Sequence, residues 1–250
     1  MGFVLKYYFY LLSVIVLLPA LCYSHDRFTS SRATYYGSRD CLGTPTGACG
    51  FGDYGRTIND AKVAGVSRLW KNGIGCGACY QVRCKVPQRC SENGVMAVVT
   101  DYGEGDNTDF ILSPRAYSKL ARPGASAKLF SYGVVDVEFR RVPCRYNYNL
   151  RFKVHEHSSF PGYLALVILY QAGQSDILAV DIWQGHRRDW MPMRRAYGAV
   201  FDIANPPRGS ITLRFLVSGS RELKWVVANK AIPSDWKGGV AYDSQIQLTD

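Results

Sequence analysis

Within residues 134–140, apolar and polar side chains alternate from Val135 onward. Val135, Val137 and Phe139 stand against Asp136, Glu138 and Arg140, which is the pattern of a half-buried strand. Shorter runs at 33–36, 80–84, 95–100 and 109–112 read as further strands, separated by loops rich in Gly, Thr and Tyr. Helical spacing is weak at 60–70. It is clearer at 114–122, where Ala116, Leu120 and Ala121 sit among Arg115 and Lys119. After a polar link at 145–149, strands are expected at 150–155, 163–170, 177–183, 211–218 and 222–227. Gly, Pro, Ser and Asn part them at the spacing of a β-sandwich. The link is too short for free movement of what it joins.

The first residues stand outside this pattern. Lys6 precedes an apolar run at 7–18, Pro19 breaks it, and small residues Cys22 and Ser24 follow. Residues 1–24 read as a secretory signal peptide, too short and wrongly flanked for a membrane span. Of the eight cysteines, Cys22 leaves with this leader. The others, Cys41, Cys49, Cys76, Cys79, Cys84, Cys90 and Cys144, all lie in the first part of the mature chain. In a secreted protein they read as a disulfide framework confined to one domain, with a boundary just after Cys144 and one thiol left over. Short strands tied by crossing disulfides favour a barrel over a sandwich there. The chain is therefore expected to be all-β, with a barrel domain at 25–146 and a sandwich domain at 150–246.

The formal charge of +10 admits nucleic acid, an anionic membrane surface or an acidic polymer as partner. Secretion argues against nucleic acid, no later stretch is long enough to span a membrane, and an acidic polysaccharide fits best.

The segment 75–117 concentrates the chemistry. CGACY at 76–80 matches the nucleophile signature of papain-like proteases, but the histidines, at 25, 155, 157 and 186, miss the window for a base. A structural disulfide pair is the better reading, and it also outweighs zinc at Cys76, Cys79, Cys84 and Cys90. The acidic loop with Asp101, Glu104, Asp106 and Asp109 lacks the alternation of a calcium loop. Neither a metal nor another cofactor is expected. Asp101 and Asp109 end successive strands, and glycoside hydrolysis needs two carboxylates facing one bond. In the second half Tyr163, Tyr170, Trp183, Trp190, Tyr197, Phe201, Trp225 and Trp236 supply aromatic faces, several beside charge, as in RRDWMPMRRAYG at 187–198. Exposed, such faces stack on sugar rings.

The ordered set ATYYG (33–37), GACGFG (47–52), GCGACYQVRC (75–84), VVTD (98–101), DFILSPRAY (109–117), FRRVPCRY (139–146), GYLALVILY (162–170) and WMPMRRAYG (190–198) resembles plant expansins, most closely the expansin-like B branch. The resemblance implies a six-stranded double-psi β-barrel like that of family-45 endoglucanases, followed by an immunoglobulin-like β-sandwich that binds carbohydrate. It implies disulfides Cys49–Cys76, Cys79–Cys144 and Cys84–Cys90, leaving Cys41 odd; the sequence by itself leaves 15 connectivities open. It places Thr34, Tyr36 and Asp101 in the barrel groove, with Tyr102 near an aromatic position. The family's His-Phe-Asp motif aligns with Asp109-Phe110-Ile111, so Ile111 stands where the key acid is expected and Asp109 is a candidate substitute. Tyr163 and Tyr197 match the aromatic platform of the second domain, with Trp190 as a third member. The implied function is non-hydrolytic wall loosening, by disrupting contacts between cellulose and matrix polymers. The partners expected are cellulose, hemicellulose and, from the charge, acidic pectin, and the chain is expected to be a monomer. The rivals are a weak endoglucanase using Asp101 and Asp109, and a glycan-binding or defence protein with a vestigial barrel.

Overall fold

The computed structural model describes residues 27–105, 108–218 and 222–248, so the expected leader and Asp106 lie outside the described residues. Six strands close into a barrel: β1 (Thr29–Tyr35), β2 (Val63–Val66), β3 (Cys79–Cys84), β4 (Val95–Tyr102), β5 (Phe110–Leu112) and β6 (Val135–Val142), in the order β1-β5-β2-β4-β3-β6. The β1–β5 and β2–β4 pairs are parallel and the others antiparallel. Helices α1 (Asp53–Thr57), α2 (Pro114–Lys119) and α3 (Ser126–Phe130) lie outside the strands. Ser113 starts α2 by accepting the Ala116 N–H at 3.1 Å, with Pro114 at the position where a missing N–H costs nothing. Tyr117 then packs on Tyr35 at 4.8 Å and Phe130 at 5.0 Å between ring centroids, which seats both helices against β1.

The helical spacing at 60–70 becomes helical only at its end, in the 3-10 turn Arg68–Gly73. Asn59, Asp60 and Ala61 take φ of 55°, 57° and 54°, a left-handed turn that ends α1. The next strand, β2, is buried between β5 and β4, where branched valines fit a pleated, enclosed strand. Pairing on both sides overrides a weak local period.

Disulfides join Cys49 to Cys76, Cys79 to Cys144 and Cys84 to Cys90, and Cys41 is a free, exposed thiol. The first of these pins the loop at 47–50 to the segment that enters β3.

The second half is a sandwich of two antiparallel sheets. One runs β10 (Asp189–Pro192), β9 (Ile177–Gln184), β13 (Ile211–Ser218), β14 (Leu223–Ile232). The other runs β11 (Arg194–Tyr197), β12 (Val200–Ala204), β8 (Tyr163–Leu169), β7 (Arg151–Val154), β15 (Ala241–Asp243). Leu164, Leu166 and Ile168 of β8 meet Val180, Ile182, Leu213 and Phe215 in the sandwich core. On the opposite face Ala165, Val167 and Leu169, with Val200 of β12, join the apolar cluster of the barrel. Burial on both faces explains why β8 reads as an unbroken apolar run.

Polar contacts fix this junction. The Ala199 N–H donates to Cys49 O at 3.0 Å and the Tyr170 N–H to the Tyr54 hydroxyl at 3.0 Å. Asp176 takes Lys71 at 3.1 Å and Arg141 at 2.9 Å. Gly198 touches the barrel loop so closely that a Cβ there would lie 2.3 Å from Ala48 O.

Candidate functional site

Strand register builds a groove floor across the barrel. Thr34 on β1 is opposite Ile111 on β5, Ile111 is opposite Gly65 on β2, and Gly65 is opposite Asp101 on β4. Gly65 has no side chain, so Asp101 lies directly against this row, its Cβ 3.6 Å from where a Gly65 Cβ would stand. Asp101 accepts the Ala48 N–H at 2.6 Å and the Tyr102 N–H at 2.8 Å. Burial raises its pKa above the ordinary carboxylate value, and the Ala48 N–H offsets this only in part. Tyr36 follows Thr34 on the same face. Burial, and then the charge of Asp101, push its phenol well above the usual value. Its hydroxyl is buried with no hydrogen-bond partner among the described residues, beside a hollow of about 310 Å³. Thr34 donates to Gly133 O at 3.1 Å, so its hydroxyl is tied to the start of β6. Ile111 fills the centre of the floor up to the next loop, where a Cβ on Gly103 would lie 2.6 Å from its Cδ1.

Asp109 differs from the expectation of a second working carboxylate. It is 3% exposed. Ser31 donates to its Oδ2 at 2.6 Å and Ser67 to its Oδ1 at 3.3 Å. Arg68 clamps it with Nε on Oδ1 at 2.8 Å and Nη2 on Oδ2 at 2.6 Å. The Arg68 hydrogen bond, above all, holds the carboxyl below its usual pKa. Two hydroxyls and a bidentate guanidinium use its lone pairs, so it stays ionised and occupied. Its position opposite Ser67, two residues along the strand from the Ile111 row, also sets it apart from Asp101. Asp109 is a latch between β1, β2 and β5.

Beside the Asp109 latch lies a hollow of about 1010 Å³, lined in part by Ser31, Arg68, Trp70, Tyr102, Glu104 and Asp109. Trp70 and Tyr102 pack at 5.5 Å. Sequence reasoning missed Trp70 and Arg68 as site residues, because the left-handed turn and β2 that deliver them carry a helical spacing.

The sandwich contributes the aromatic face. Tyr163 on β8 and Tyr197 on β11 lie on the outer side of the five-stranded sheet, where it runs out from under the barrel. The Tyr163 hydroxyl donates to Asp202 Oδ2 at 2.7 Å, and Arg194 grips the same carboxylate at 2.9 and 2.6 Å. Those hydrogen bonds, Arg194's first, keep Asp202 below its ordinary pKa despite burial. The Tyr197 hydroxyl meets His155 Nε2 at 3.1 Å, and the residue is 49% exposed. Burial lowers the His155 pKa, which favours the neutral imidazole. A Cβ on Gly50 would lie 2.9 Å from Tyr197 Cε2. The loop at 47–50 thus holds Asp101 through Ala48 and supports Tyr197 through Gly50, joining groove and face.

Trp190 does not belong to that face. It sits on β10, in the other sheet, directly opposite Trp183 on β9. The chain changes sheets between Pro192 and Arg194, where Met193 is buried in the sandwich core, so Trp190 and Tyr197 point to opposite sides of the domain.

Residues 62–139 match a family model described as lytic transglycolase, and residues 150–233 match the expansin C-terminal domain. The chain is 60% identical to expansin-like B1 of Arabidopsis thaliana, over 94% of this chain and 95% of that protein. It is 42% identical to expansin-like B1 of Oryza sativa subsp. japonica, over 95% and 94%. Among solved structures, a mutant Clavibacter michiganensis expansin in complex with cellohexaose superposes with a TM-score of 0.68 at 21% identity, over 90% of this chain and 99% of that one. A closed six-stranded barrel, an expansin-type sandwich and relatives along nearly the whole length agree: the chain belongs to the plant expansin superfamily, in its expansin-like B branch.

Proposed function

We propose that this is a secreted cell-wall protein that binds wall polysaccharide along the barrel groove and the Tyr163–Tyr197 face, and loosens the wall without cutting glycans. The observation that carries this reading is that, of the two candidate carboxylates Asp101 and Asp109, only Asp101 is free to act on a ligand. Hydrolysis needs a second, at about 5–5.5 Å for retention or about 6.5–9.5 Å for inversion. Ile111 occupies the centre of the floor and Asp109 is saturated by Arg68, Ser31 and Ser67. The cellohexaose complex of a similarly folded expansin supports a β-glucan as one ligand, with hemicellulose and acidic pectin as further wall partners. Residues 1–24 act as the leader, 25–146 as the groove domain and 150–246 as the binding domain.

The residues divide the work by chemistry. Pyranose rings present apolar C–H faces that stack on Tyr197 and Tyr163, whose hydroxyls are held by His155 and Asp202. Asp101 receives sugar hydroxyls in the groove, competing for hydrogen bonds that hold one glycan to another. The raised pKa of Asp101 makes its protonated, donating form available in mild acid, so loosening should rise as pH falls through that value.

The test is creep of a heat-inactivated wall strip under constant load, with release of reducing ends measured in parallel. Extension without new reducing ends, lost in Asp101→Ala and kept in Arg68→Lys, is expected. New reducing ends would overturn the non-hydrolytic reading. Binding without extension would overturn loosening and leave a glycan-binding wall protein, the outcome that Ile111 at the groove centre favours as the second reading.

A further inference from the structure

The outer face of the β10-β9-β13-β14 sheet lies on the side of the sandwich away from Tyr163 and Tyr197. Arg214 and Asp181 are opposite each other on β13 and β9, and Arg214 donates to Asp181 through Nε at 2.8 Å. The pinned guanidinium lies over Trp190 at 4.6 Å and over Trp225 at 4.2 Å from the ring centroids, and Trp190 packs on Trp183 at 5.2 Å. These contacts fix a row of indoles across four strands, about 14 Å long at the usual strand spacing. The row ends in solvent at β14, the edge strand, where Leu223, Trp225 and Val227 are 62%, 40% and 41% exposed. Soluble proteins rarely leave such a patch without a use.

The surroundings say what would cover it. The turn at 185–188, next to the Trp183–Trp190 pair, presents Arg187 and Arg188 to solvent, and neither pairs with a carboxylate among the described residues. A second copy of this chain would bring these cations against their equals. A linear polyuronate offers both complements: apolar sugar faces for the indoles and carboxylates for the arginines.

We infer that this sheet face is a second glycan-binding site, specific for acidic polysaccharide, set back to back with the Tyr163–Tyr197 face. Together with that face, and resting on its proposed role, the sandwich holds a neutral glucan on one side and a polyuronate on the other. One molecule would then couple two wall polymers.

The mature chain can be titrated calorimetrically with polygalacturonate and, separately, with cellohexaose. Trp225→Ala and the double variant Arg187→Glu/Arg188→Glu should each weaken polygalacturonate binding about tenfold and leave cellohexaose binding unchanged. Tyr197→Ala should do the reverse. The arginine pair is on an exposed turn, so that variant folds even if Trp225→Ala does not. The arginine contribution should also fall as salt rises. The inference is overturned if the wild type binds no polygalacturonate, or if both variants bind it normally. It is also overturned if sedimentation shows a dimer that Trp225→Ala abolishes, since the face would then be covered by a second copy. Polygalacturonate binding with no cellohexaose binding would sink the platform reading while leaving this site standing.

Discussion

Asp101 and Asp109 stand at the two ends of one loop, and their surroundings are opposite. Asp101 receives two backbone N–H groups and, among the described residues, no cation, and burial raises its pKa. Asp109 receives two hydroxyls and the Arg68 fork, and is held ionised. A carboxylate that is fully satisfied by the protein has nothing left for a ligand. One that is buried yet under-satisfied stores a demand that a sugar hydroxyl can meet. The comparison assigns structure to Asp109 and chemistry to Asp101.

The largest expected effect is on folding. Asp109→Ala should lower the unfolding free energy by about 2–4 kcal/mol, read as a shift of the urea midpoint, whereas Asp101→Asn should stay within about 1 kcal/mol. The pH dependence separates them further. Because the Asp109 pKa is depressed, its contribution is present above the ordinary carboxylate value of about 3.9 and is lost as pH falls below it. The gap between wild type and Asp109→Ala should therefore shrink in acid. Asp101 has the opposite sign: its raised pKa makes the ionised form the unfavourable one, so its contribution is present in acid and is lost as pH rises through that pKa.

Next in size is Ile111→Asp, which would place a second carboxylate across Gly65 from Asp101. Repulsion should cost about 1–3 kcal/mol at neutral pH and much less in acid, where both carboxyls protonate, measured by the same midpoints. Equal cost in both conditions would mean that the two positions do not share a groove. Tyr197→Ala should then weaken neutral-glucan binding about tenfold. Tyr197→Phe keeps the ring, loses only the His155 bond and should weaken it about two- to threefold, and Trp190→Ala should leave it unchanged. Cys41→Ser, at an exposed free thiol, should alter stability by less than about 0.5 kcal/mol.

Much of the architecture was legible in the chain. Alternation marked β6, an apolar run marked β8, and the confinement of seven cysteines to one half separated a stapled barrel from an unstapled sandwich. The short strands β10, β11, β12 and β15 were not, although β5 and β7, no longer, were: three to five residues carry so little period that some such strands show and others do not. The latch on Asp109 was hidden for a different reason. Its partners lie 78 residues away at Ser31 and 41 away at Arg68, and the parallel pairing of β1 and the antiparallel pairing of β2 with β5 bring them together. Trp190 and Tyr197 are close in sequence, yet the sheet change at Met193 sends them to opposite faces. Local pattern shows that a residue is outward, not which sheet it is outward from.

The most direct measurement is a carbon-detected NMR titration of the side-chain carboxyls in the mature protein, with assignments from Asp101→Asn and Asp109→Asn. The account predicts a midpoint for Asp101 above the ordinary carboxylate value of about 3.9 and one for Asp109 below it. Two ordinary midpoints, or the reverse order, would contradict the division of labour on which the groove reading stands.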